Sequence, residues 1–478
     1  MRACARAVTS LARETRHGRP DARQRRRLMT TTRALKSGDA REGDAVSVMF
    51  LGWEWIEASS SAAGVRSRAL ARGAVERGWR VTVAASAMPN EATREIGAEL
   101  GVETAHVPAN RGEALGEALR KAKPDVVIFD RFLAEEAFGA RVRELVPNAV
   151  RVLDMQDAHA LRRARETAVR DGRGAENVAR TTPKARDVDL MRELASVERS
   201  DLTLVCSPVE LGWLTRECGV SKRKLRVASF FNDPVRLTED EQNFEAREGF
   251  VTVGTFKHKP NVDSIEWLAN EVWPLVRERL PNATMDVYGS YMTEKYIARF
   301  DKPKDGFRVR GFAEDLASTL RKSRVLLAPL RFGAGIKGKV LDAWAYGLPV
   351  VTTPIGSEAT IPGREQFWTP DDAPVDPQNG WGGFGDCVSA SALTDAAVAL
   401  HEDRELWLTA QANGAEVVNA LFSSEQIPRL LDDIERAVGD IDAMRDVDYH
   451  GQSLWHHTER STMYFSKWIE LKETGENS

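Results

Sequence analysis

A glycine- and lysine-rich turn in the second half of the 478-residue chain has the composition of an anion-binding loop. It spans residues 333–339 and holds Lys337 and Lys339, directly before a segment with helical periodicity. Backbone N–H groups at a helix N-terminus attract anions, and glycines let a phosphate approach the backbone closely. Cations are disfavoured at that end of a helix unless an anion is bound there. The turn therefore predicts a diphosphate site and favours an enzyme that uses a nucleotide-sugar, with a solvated surface turn as the alternative.

The segments around this turn predict the elements that position it. Residues 325–330 form an apolar run short enough for a buried parallel strand. Residues 340–346 are predicted to be a helix that ends at Gly347 and Pro349, and residues 350–353 form the next apolar run. The order of strand, loop, helix and strand is typical of a doubly wound sheet, in which ligands bind at the carboxyl ends of the strands.

Residues 333–358, GAGIKGKVLDAWAYGLPVVTTPIGSE, closely resemble the donor-site segment of retaining glycosyltransferases of the family GT4 (glycosyl transferase group 1), which have the two-domain GT-B fold. Many members carry two glutamates eight positions apart, and here those positions hold Ala334 and Asp342. The form G-x-G-x-K-x-K, without the first glutamate, is also familiar in that family. The resemblance implies that Lys337 stabilises the leaving diphosphate and that Asp342 binds the donor ribose hydroxyls. A surface pair with Lys339 is the alternative for Asp342.

The resemblance covers residues 250–358 strongly and the first half of the chain more weakly. The stretch VGTFKHKPNVDSIEWL resembles the opening strand and loop of the donor domain, where a basic residue reaches the donor phosphate. Asn261 is predicted to be the N-cap of a helix that begins at residue 262. The segment FRVRGFA, residues 307–313, resembles the one whose backbone holds the nucleotide base. Together these matches imply donor contacts at Gly254, Thr255, Lys257, Gly311, Phe312, Gly333, Gly335, Lys339 and Glu358, with Lys259 as a second basic candidate. A cap on the following segment is the alternative for Glu358, and a solvated loop side chain is the alternative for Lys257 and Lys259.

The first half of the chain supplies the remaining site candidates. In the family, the loop after the first strand carries a glycine near the transferred group, which implies Gly64 as a donor contact and Arg66 as an acceptor contact. Asp130 and Arg131 end a predicted strand at the ligand edge of a doubly wound sheet, with a structural ion pair as the alternative. His159 follows another predicted strand and is the last acceptor candidate, with a structural role as its alternative.

Short apolar runs alternate with helical segments along the chain, which predicts an α/β fold of two doubly wound, Rossmann-like halves with parallel sheets facing across a cleft. Composition alone leaves a two-domain dehydrogenase open, but no G-x-G-x-x-G follows the first predicted strand. The predicted divisions are a basic segment at 1–45, an acceptor domain at 46–236, a linker at 237–249, a donor domain at 250–440 and a C-terminal segment at 441–478 that packs back on the first domain.

The first 45 residues are rich in arginine and in hydroxyl-bearing side chains, and they contain few acids. This composition is typical of an organellar transit peptide, which predicts a plastid or mitochondrial location. The alternatives are a disordered basic tail or a true start at Met29, and both predict a cytoplasmic protein.

Composition also argues against several partners. A net charge of −4 gives no reason to expect nucleic acid, and no apolar run approaches the roughly 20 residues of a membrane-spanning helix. The four cysteines lack the spacing of a disulfide framework or a zinc site. The D-x-D triplets at 187–189 and 446–448 follow no apolar strand. We therefore predict no metal, and no cofactor apart from the nucleotide-sugar as co-substrate.

The aromatic-rich segment 453–472 is predicted to be packed, with a partner-binding helix or a zinc site at His456 and His457 as alternatives. The reaction implied by the resemblance is transfer of a sugar to an unidentified acceptor with retention at the anomeric carbon. The departing phosphate oxygen would help to deprotonate the acceptor. A degenerate GT-B protein that binds without transfer, and an epimerase or phosphorylase on the same fold, are the rival hypotheses.

Overall fold

The computed structural model describes residues 45–57, 62–109, 111–239 and 243–456, and their strands form two parallel sheets. The first sheet is built from β1 (Ser47–Gly52), β2 (Arg80–Ala85), β3 (Glu103–His106), β4 (Val126–Asp130), β5 (Val150–Asp154), β6 (Leu202–Val205) and β7 (Leu225–Val227). The second is built from β8 (Glu248–Val253), β9 (Met285–Tyr288), β10 (Phe307–Gly311), β11 (Ser323–Ala328), β12 (Val350–Thr352) and β13 (Gly383–Phe384).

The helices of the first domain, which is built around the first sheet, are α1 (Ala62–Glu76), α2 (Glu91–Leu100), α3 (Gly112–Ala122), α4 (Arg131–Leu145), α5 (His159–Arg170), α6 (Ala175–Ala179), α7 (Val188–Arg199) and α8 (Pro208–Arg216). Those of the second domain are α9 (Lys259–Trp267), α10 (Trp273–Arg279), α11 (Glu294–Phe300), α12 (Leu316–Lys322), α13 (Gly338–Ala345), α14 (Ala390–Glu402) and α15 (Arg404–Leu421). Three further helices follow, α16 (Ile427–Gly439), α17 (Ile441–Asp446) and α18 (Tyr449–Leu454).

Strand order explains where a ligand can bind. The first sheet runs β3-β2-β1-β4-β5-β6-β7 and the second β10-β9-β8-β11-β12-β13, with all pairs parallel. In each sheet the order reverses beside the first strand of the domain, which opens a crevice at the carboxyl edge. The prediction of two doubly wound parallel sheets is confirmed.

The central strands form because most of their residues are apolar on both faces. Every residue of β1 is buried, as are all residues of β5 and β12, and helices cover both sides of each sheet. Continuous apolar runs are the expected pattern for parallel strands buried on both faces. β3, with the sequence ETAH, is exposed or half-buried along its length, and it has no apolar run by which the sequence could reveal it.

The predicted N-cap at Asn261 is wrong. Helix α9 begins at Lys259, with His258 at the N-cap and Pro260 in the first turn. Proline fits the first turn of a helix because its missing N–H would have no partner there. The side chain of Asn261 is used differently: its Nδ2 donates to the carbonyl of Thr255 at 3.0 Å, and its Oδ1 accepts from Lys339.

The chain passes between the domains twice, and the two passages lie side by side. The Asn232 N–H donates to the carbonyl of Phe422 at 2.7 Å, and the Ser424 N–H donates to the carbonyl of Asn232 at 2.8 Å. Beyond this point α16 packs on the first sheet, where Ile427 and Ile434 join the apolar core. The last helices therefore belong to the packing of the first domain.

A buried ionic cluster fastens α17 to the first sheet. Asp201 accepts hydrogen bonds from both Arg151 and Arg445, and these two charges outweigh the burial that would raise its pKa and lower it to about 2. Trp455 is buried beyond α18, where its indole N–H donates to the carbonyl of Arg199 at 2.9 Å. The aromatic residues at 464–468 and the predicted transit segment up to residue 44 lie outside the described residues. Of the helices that the structure describes, none is long and apolar enough to cross a membrane.

Candidate functional site

The glycine-rich turn lies between β11 and α13, at the carboxyl edge of the second sheet. Gly335 has a φ of 65°, a left-handed conformation that glycine adopts without strain. Lys337 occupies the N-cap position of α13, and its side chain makes no capping hydrogen bond there. Its Nζ instead donates to the carbonyl of Gly335. The turn thus presents the N–H groups of a helix N-terminus together with an adjacent amine, which suits an anionic ligand.

Lys339, the other lysine of the turn, belongs to a small hydrogen-bond network in the second domain. The Lys339 Nζ donates to Oδ1 of Asn261 at 2.9 Å. A Cβ at Gly254 would lie 2.7 Å from Nδ2 of Asn261 and 3.0 Å from the Lys339 Nζ. Gly254 is therefore required by close approach, and the turns after β8 and β11 meet at one place. The sequence resemblance had implied Gly254 and Lys339 separately; the structure brings them together.

Burial shifts the pKa of three charged residues in and after the turn, Lys337, Lys339 and Asp342. The pKa of Lys337 is lowered to about 8, mainly by burial. The charge of Glu358 opposes this shift, and the charge of Arg165 adds to it. Burial also lowers the pKa of Lys339 to about 8 and raises that of Asp342 to about 6. A diphosphate would restore the charge of both lysines, because an anion nearby favours the protonated amine.

The remaining donor candidates of the second domain lie at the same edge. Thr255 accepts from Asn261 through its carbonyl, and the Lys257 amine lies 3.4 Å from the centre of the Tyr291 ring. Gly311 ends β10 with a φ of 87°, and the Phe312 ring that follows is 62% exposed. An exposed ring in this position is available to stack on a planar base.

Lys259 and Glu358 both form ion pairs with residues of the first domain. The Lys259 amine pairs with Glu166 at 2.8 Å. Both carboxylate oxygens of Glu358 accept from Arg165, at 3.0 and 2.6 Å. Sequence reasoning missed Arg165, because its partners in the second domain, Gly333 and Glu358, lie more than 150 positions away in the chain.

Gly64 and Arg66 both lie near the start of α1, and both are closely packed. A Cβ at Gly64 would lie 1.9 Å from the carbonyl of Glu57, so only glycine fits. Arg66 is almost fully buried, pairs with Asp154 at 2.5 Å and also donates to the carbonyl of Ala228. These bonds hold the guanidinium inside the first domain.

Asp130 and Arg131 form the ion pair that was the alternative interpretation, with 3.0 Å between Oδ2 and Nη1. Burial raises the pKa of Asp130. Arg131 has a φ of 65°, and Gln156, after β5, has a φ of 62°. Left-handed conformations at residues other than glycine store strain, and they cluster at functional sites. A cavity of about 10 Å³, enough for about one water molecule, borders Asp130 and Asp154.

His159 lies at the start of α5 beside a charge cluster that sequence reasoning missed. Its Nε2 is 3.1 Å from Asp157, which also accepts from Arg162 at 2.7 Å. Burial acts to raise the pKa of Asp157, but these two partners outweigh it and hold that pKa below its usual range. Arg162 reaches His258 of the second domain at 3.3 Å, and burial with this charge lowers the pKa of His258 to about 4.

Glu210 is another residue that sequence reasoning missed. It lies on α8, is buried, and its Oε2 accepts from the Cys206 N–H at 3.2 Å. Its Oε1 has no hydrogen-bond partner among the described residues and would lie 3.6 Å from a Cβ at Gly335. Burial raises the pKa of Glu210 to about 8. The S-x-x-E spacing of Ser207 and Glu210 was the available signal, since it predicts a capped helix start.

Ala334 occupies the place of the first glutamate in the family motif, and it is buried against the apolar core of the first domain. The D-x-D triplets serve local structure: Asp187 caps α7, and Asp448 caps α18 and pairs with Lys224. In the part of the chain that the structure describes, no group of three or more His, Cys, Asp or Glu residues could hold a metal ion.

Part of the second domain is similar to a known protein family. Residues 247–377 match the family model described as glycosyl transferases group 1. This match includes β8 to β12, the glycine-rich turn and α13. This part of the chain is therefore similar to the group 1 glycosyl transferases. No curated protein matches the sequence significantly.

Solved structures of glycosyltransferases share the whole two-domain architecture. A glycosyltransferase from Rickettsia africae is 11% identical with a TM-score of 0.58, over 83% of this chain and 99% of that one. Sucrose-phosphate synthase from Thermosynechococcus elongatus is 19% identical with a TM-score of 0.58, over 83% and 100%. Anabaena Alr3699/HepE, in complex with UDP and glucose, is 13% identical with a TM-score of 0.56, over 81% and 98%. At these identities the likeness shows the fold, which is GT-B.

Proposed function

We propose that the protein is a retaining glycosyltransferase of the GT4 type that transfers a sugar from a UDP-sugar to an acceptor on the first domain. The observation that carries this proposal is the position of Lys337 and Lys339 at the N-terminus of α13, beside Gly254. The matched family domain and the UDP bound to HepE support it.

The donor would lie along the carboxyl edge of the second sheet. Lys337, Lys339 and the N–H groups of α13 would neutralise the diphosphate, and the carboxylate of Asp342 would accept from the ribose hydroxyls. The base would lie against Gly311 and Phe312.

The reaction would need no nucleophile from the protein. The bond between the anomeric carbon and the phosphate oxygen breaks, and the acceptor oxygen bonds to that carbon on the same face. The acceptor proton passes to the departing phosphate oxygen. Lys337 and the helix amides hold the charge that develops on the leaving group, so we propose transfer without a metal ion or a further cofactor.

The acceptor would bind at the carboxyl edge of the first sheet. Asp130 and Arg131 lie at the end of β4, and His159 lies at the start of α5. The strained backbone at Arg131 and Gln156 supports a functional role for this edge.

Thermal unfolding with nucleotides tests the proposal. We expect UDP and UDP-sugars, but not ADP or GDP, to raise the melting temperature of residues 29–478, since a ligand at a hundred times its Kd adds about 2.7 kcal/mol. Lys337→Ala should abolish the shift. Lys295→Ala, which removes an exposed lysine from α11, is the matched control and should leave it intact. No shift with any nucleotide would contradict the proposal.

A second candidate is a protein that binds a UDP-sugar without transferring it, and Ala334 in place of the family glutamate favours this reading. Release of UDP from UDP-sugars in the presence of an acceptor mixture separates the two. Binding without any release, with or without EDTA, would favour the second candidate. Release that EDTA abolishes would contradict the metal-free mechanism.

A further inference from the structure

We propose that Arg165, a residue of the first domain, is a positioning residue for the diphosphate site of the second. By occupying the carboxylate of Glu358 and holding the carbonyl of Gly333, it keeps the Lys337 amine available for the donor. This inference rests on the proposed function.

Arg165 projects from α5 into the second domain, and its side chain is completely buried. Nη1 donates to the carbonyl of Gly333 at 2.8 Å and to Oε1 of Glu358 at 3.0 Å. Nη2 donates to Oε2 of Glu358 at 2.6 Å and to the carbonyl of Ala179 at 2.9 Å. The Phe367 ring covers the guanidinium at 4.9 Å. A planar fork that binds both oxygens of one carboxylate fixes its partner in orientation as well as in charge.

Two of the partners of Arg165, Gly333 and Glu358, act on Lys337. A Cβ at Gly333 would lie 3.1 Å from Cε of Lys337, so the backbone that Arg165 holds packs directly on the lysine side chain. Among the described residues, no carboxylate oxygen lies within ion-pair distance of the Lys337 Nζ, although the charge of Glu358 is close enough to raise the pKa of this amine. Arg165 therefore satisfies the carboxylate that would otherwise attract Lys337.

Removal of Arg165 alone would leave Glu358 buried without either of its donors. An uncompensated buried carboxylate is costly unless a cation pairs with it. Lys337 is a cation whose pKa the charge of Glu358 already raises, and an amine paired with Glu358 is lost to the diphosphate. Removal of the Glu358 charge as well would free Lys337 again.

The partners also lie on different domains. Arg165 belongs to the first domain, whereas Gly333 and Glu358 belong to the second. The diphosphate site is thus completed by the domain that carries the acceptor, and donor affinity depends on the closed arrangement of the two domains.

Calorimetric titration with UDP-glucose at pH 7 tests this inference. We expect Arg165→Met to weaken binding about tenfold or more, because a charge-assisted contact from Lys337 is lost. The double variant Arg165→Met/Glu358→Gln should bind at least about threefold more tightly than Arg165→Met alone. Arg151→Met is the matched control, since it breaks an equally buried pair with Asp201 within the first domain, and it should lower stability without changing affinity.

Two results would overturn the inference: wild-type affinity in Arg165→Met, or a double variant that binds as weakly as the single one. A purely structural role predicts the second result, because it offers no reason for rescue. If Arg165→Met does not fold, Arg165→Gln with and without Glu358→Gln replaces it, with the same expected rescue. Failure of the wild-type protein to bind any UDP-sugar would contradict the proposed function instead.

Discussion

Burial of charge governs the candidate donor site at the scale of single residues. The pKa of both Lys337 and Lys339 is lowered to about 8, and that of Asp342 is raised to about 6, in each case mainly by burial. A diphosphate needs protonated lysines, and the ribose needs an ionised Asp342. The charges that favour a donor are therefore present together only in a limited range of pH.

We expect the affinity for UDP-glucose to be highest between about pH 6 and about pH 8. As the pH rises through 8 the lysines lose their charge, and as it falls through 6 Asp342 becomes protonated. Calorimetry from pH 5 to 10 measures this profile. UDP-glucose is the suitable ligand because its diphosphate has no terminal ionisation in this range. Asp342→Asn should remove the fall in affinity below pH 6. An affinity of the wild-type protein that does not change with pH would contradict the roles assigned to Asp342 and the two lysines.

Gly254 gives a steric test of the same site. In Gly254→Ala the new methyl group would displace Asn261 and Lys339, whose side-chain nitrogen atoms lie within 3.0 Å of it. We expect the affinity for UDP-glucose to fall about tenfold while the melting temperature changes little, because polar side-chain ends can shift. Gly174→Ala, where the new methyl group meets nothing within 4 Å, is the control. Equal affinities of the two variants would exclude a donor at this turn.

Sequence and structure differ most clearly at residues whose partners are distant in the chain. Lys337 and Gly254 were predictable because backbone geometry and family resemblance act over a few neighbouring positions. Glu210 and Arg165 were not, since Glu210 matters through its burial and Arg165 through its partners in the opposite domain.

At the scale of elements, the strand, loop, helix and strand around the glycine-rich turn were predictable because apolar periodicity and glycine or proline stops agree there. β11, α13 and β12 all lie within two residues of the predicted segments. β3 was not predictable, because it is a partly exposed edge strand without an apolar run. The start of α9 was misplaced because the N-cap preference of Asn261 was weighed above the preference of Pro260 for the first turn.

Glu210 lies on helix α8 at the interface between the domains. The stability of the protein should respond to pH through this carboxyl. The pKa of this carboxyl is raised from 4.5 to about 8. Its contribution to the free energy of unfolding is therefore most favourable below pH 4.5 and is lost as the pH rises to about 8. We expect Glu210→Gln, which cannot ionise, to gain in melting temperature relative to the wild-type protein across that range. Thermal scans at pH 5, 6.5 and 8 measure the difference. A constant difference would show that the pKa of this carboxyl is not raised in the folded state.

At the scale of the whole molecule, stability depends on how the last helices join the first sheet. Asp201 lies between Arg151 and Arg445, and so it links β5 to α17. The two-domain arrangement was predictable from the alternation of strands and helices. This linkage was not, because Asp201 and Arg445 lie 244 positions apart.

We expect Asp201→Asn to lower the free energy of unfolding by about 3 kcal/mol, because two arginines lose their buried counter-charge. The pKa of Asp201 is about 2 in the folded protein against 3.8 otherwise, so the effect should be complete above pH 4 and fade as the pH falls towards 2. Urea unfolding at pH 7 and at pH 3 measures it. Asp395→Asn, at an exposed pair with Arg279, is the control and should change stability by less than about 1 kcal/mol.

The adjacent passages of the chain at Asn232 and Ser423 have a consequence for protein engineering. Since the chain leaves the first domain and returns to it at neighbouring points, the second domain is an insertion whose two ends are already close in space. Such a segment can be exchanged between GT-B proteins as a cassette, with both junctions placed at this one site. On the function proposed above, a transplanted second domain would change nucleotide preference while the host retains its own acceptor.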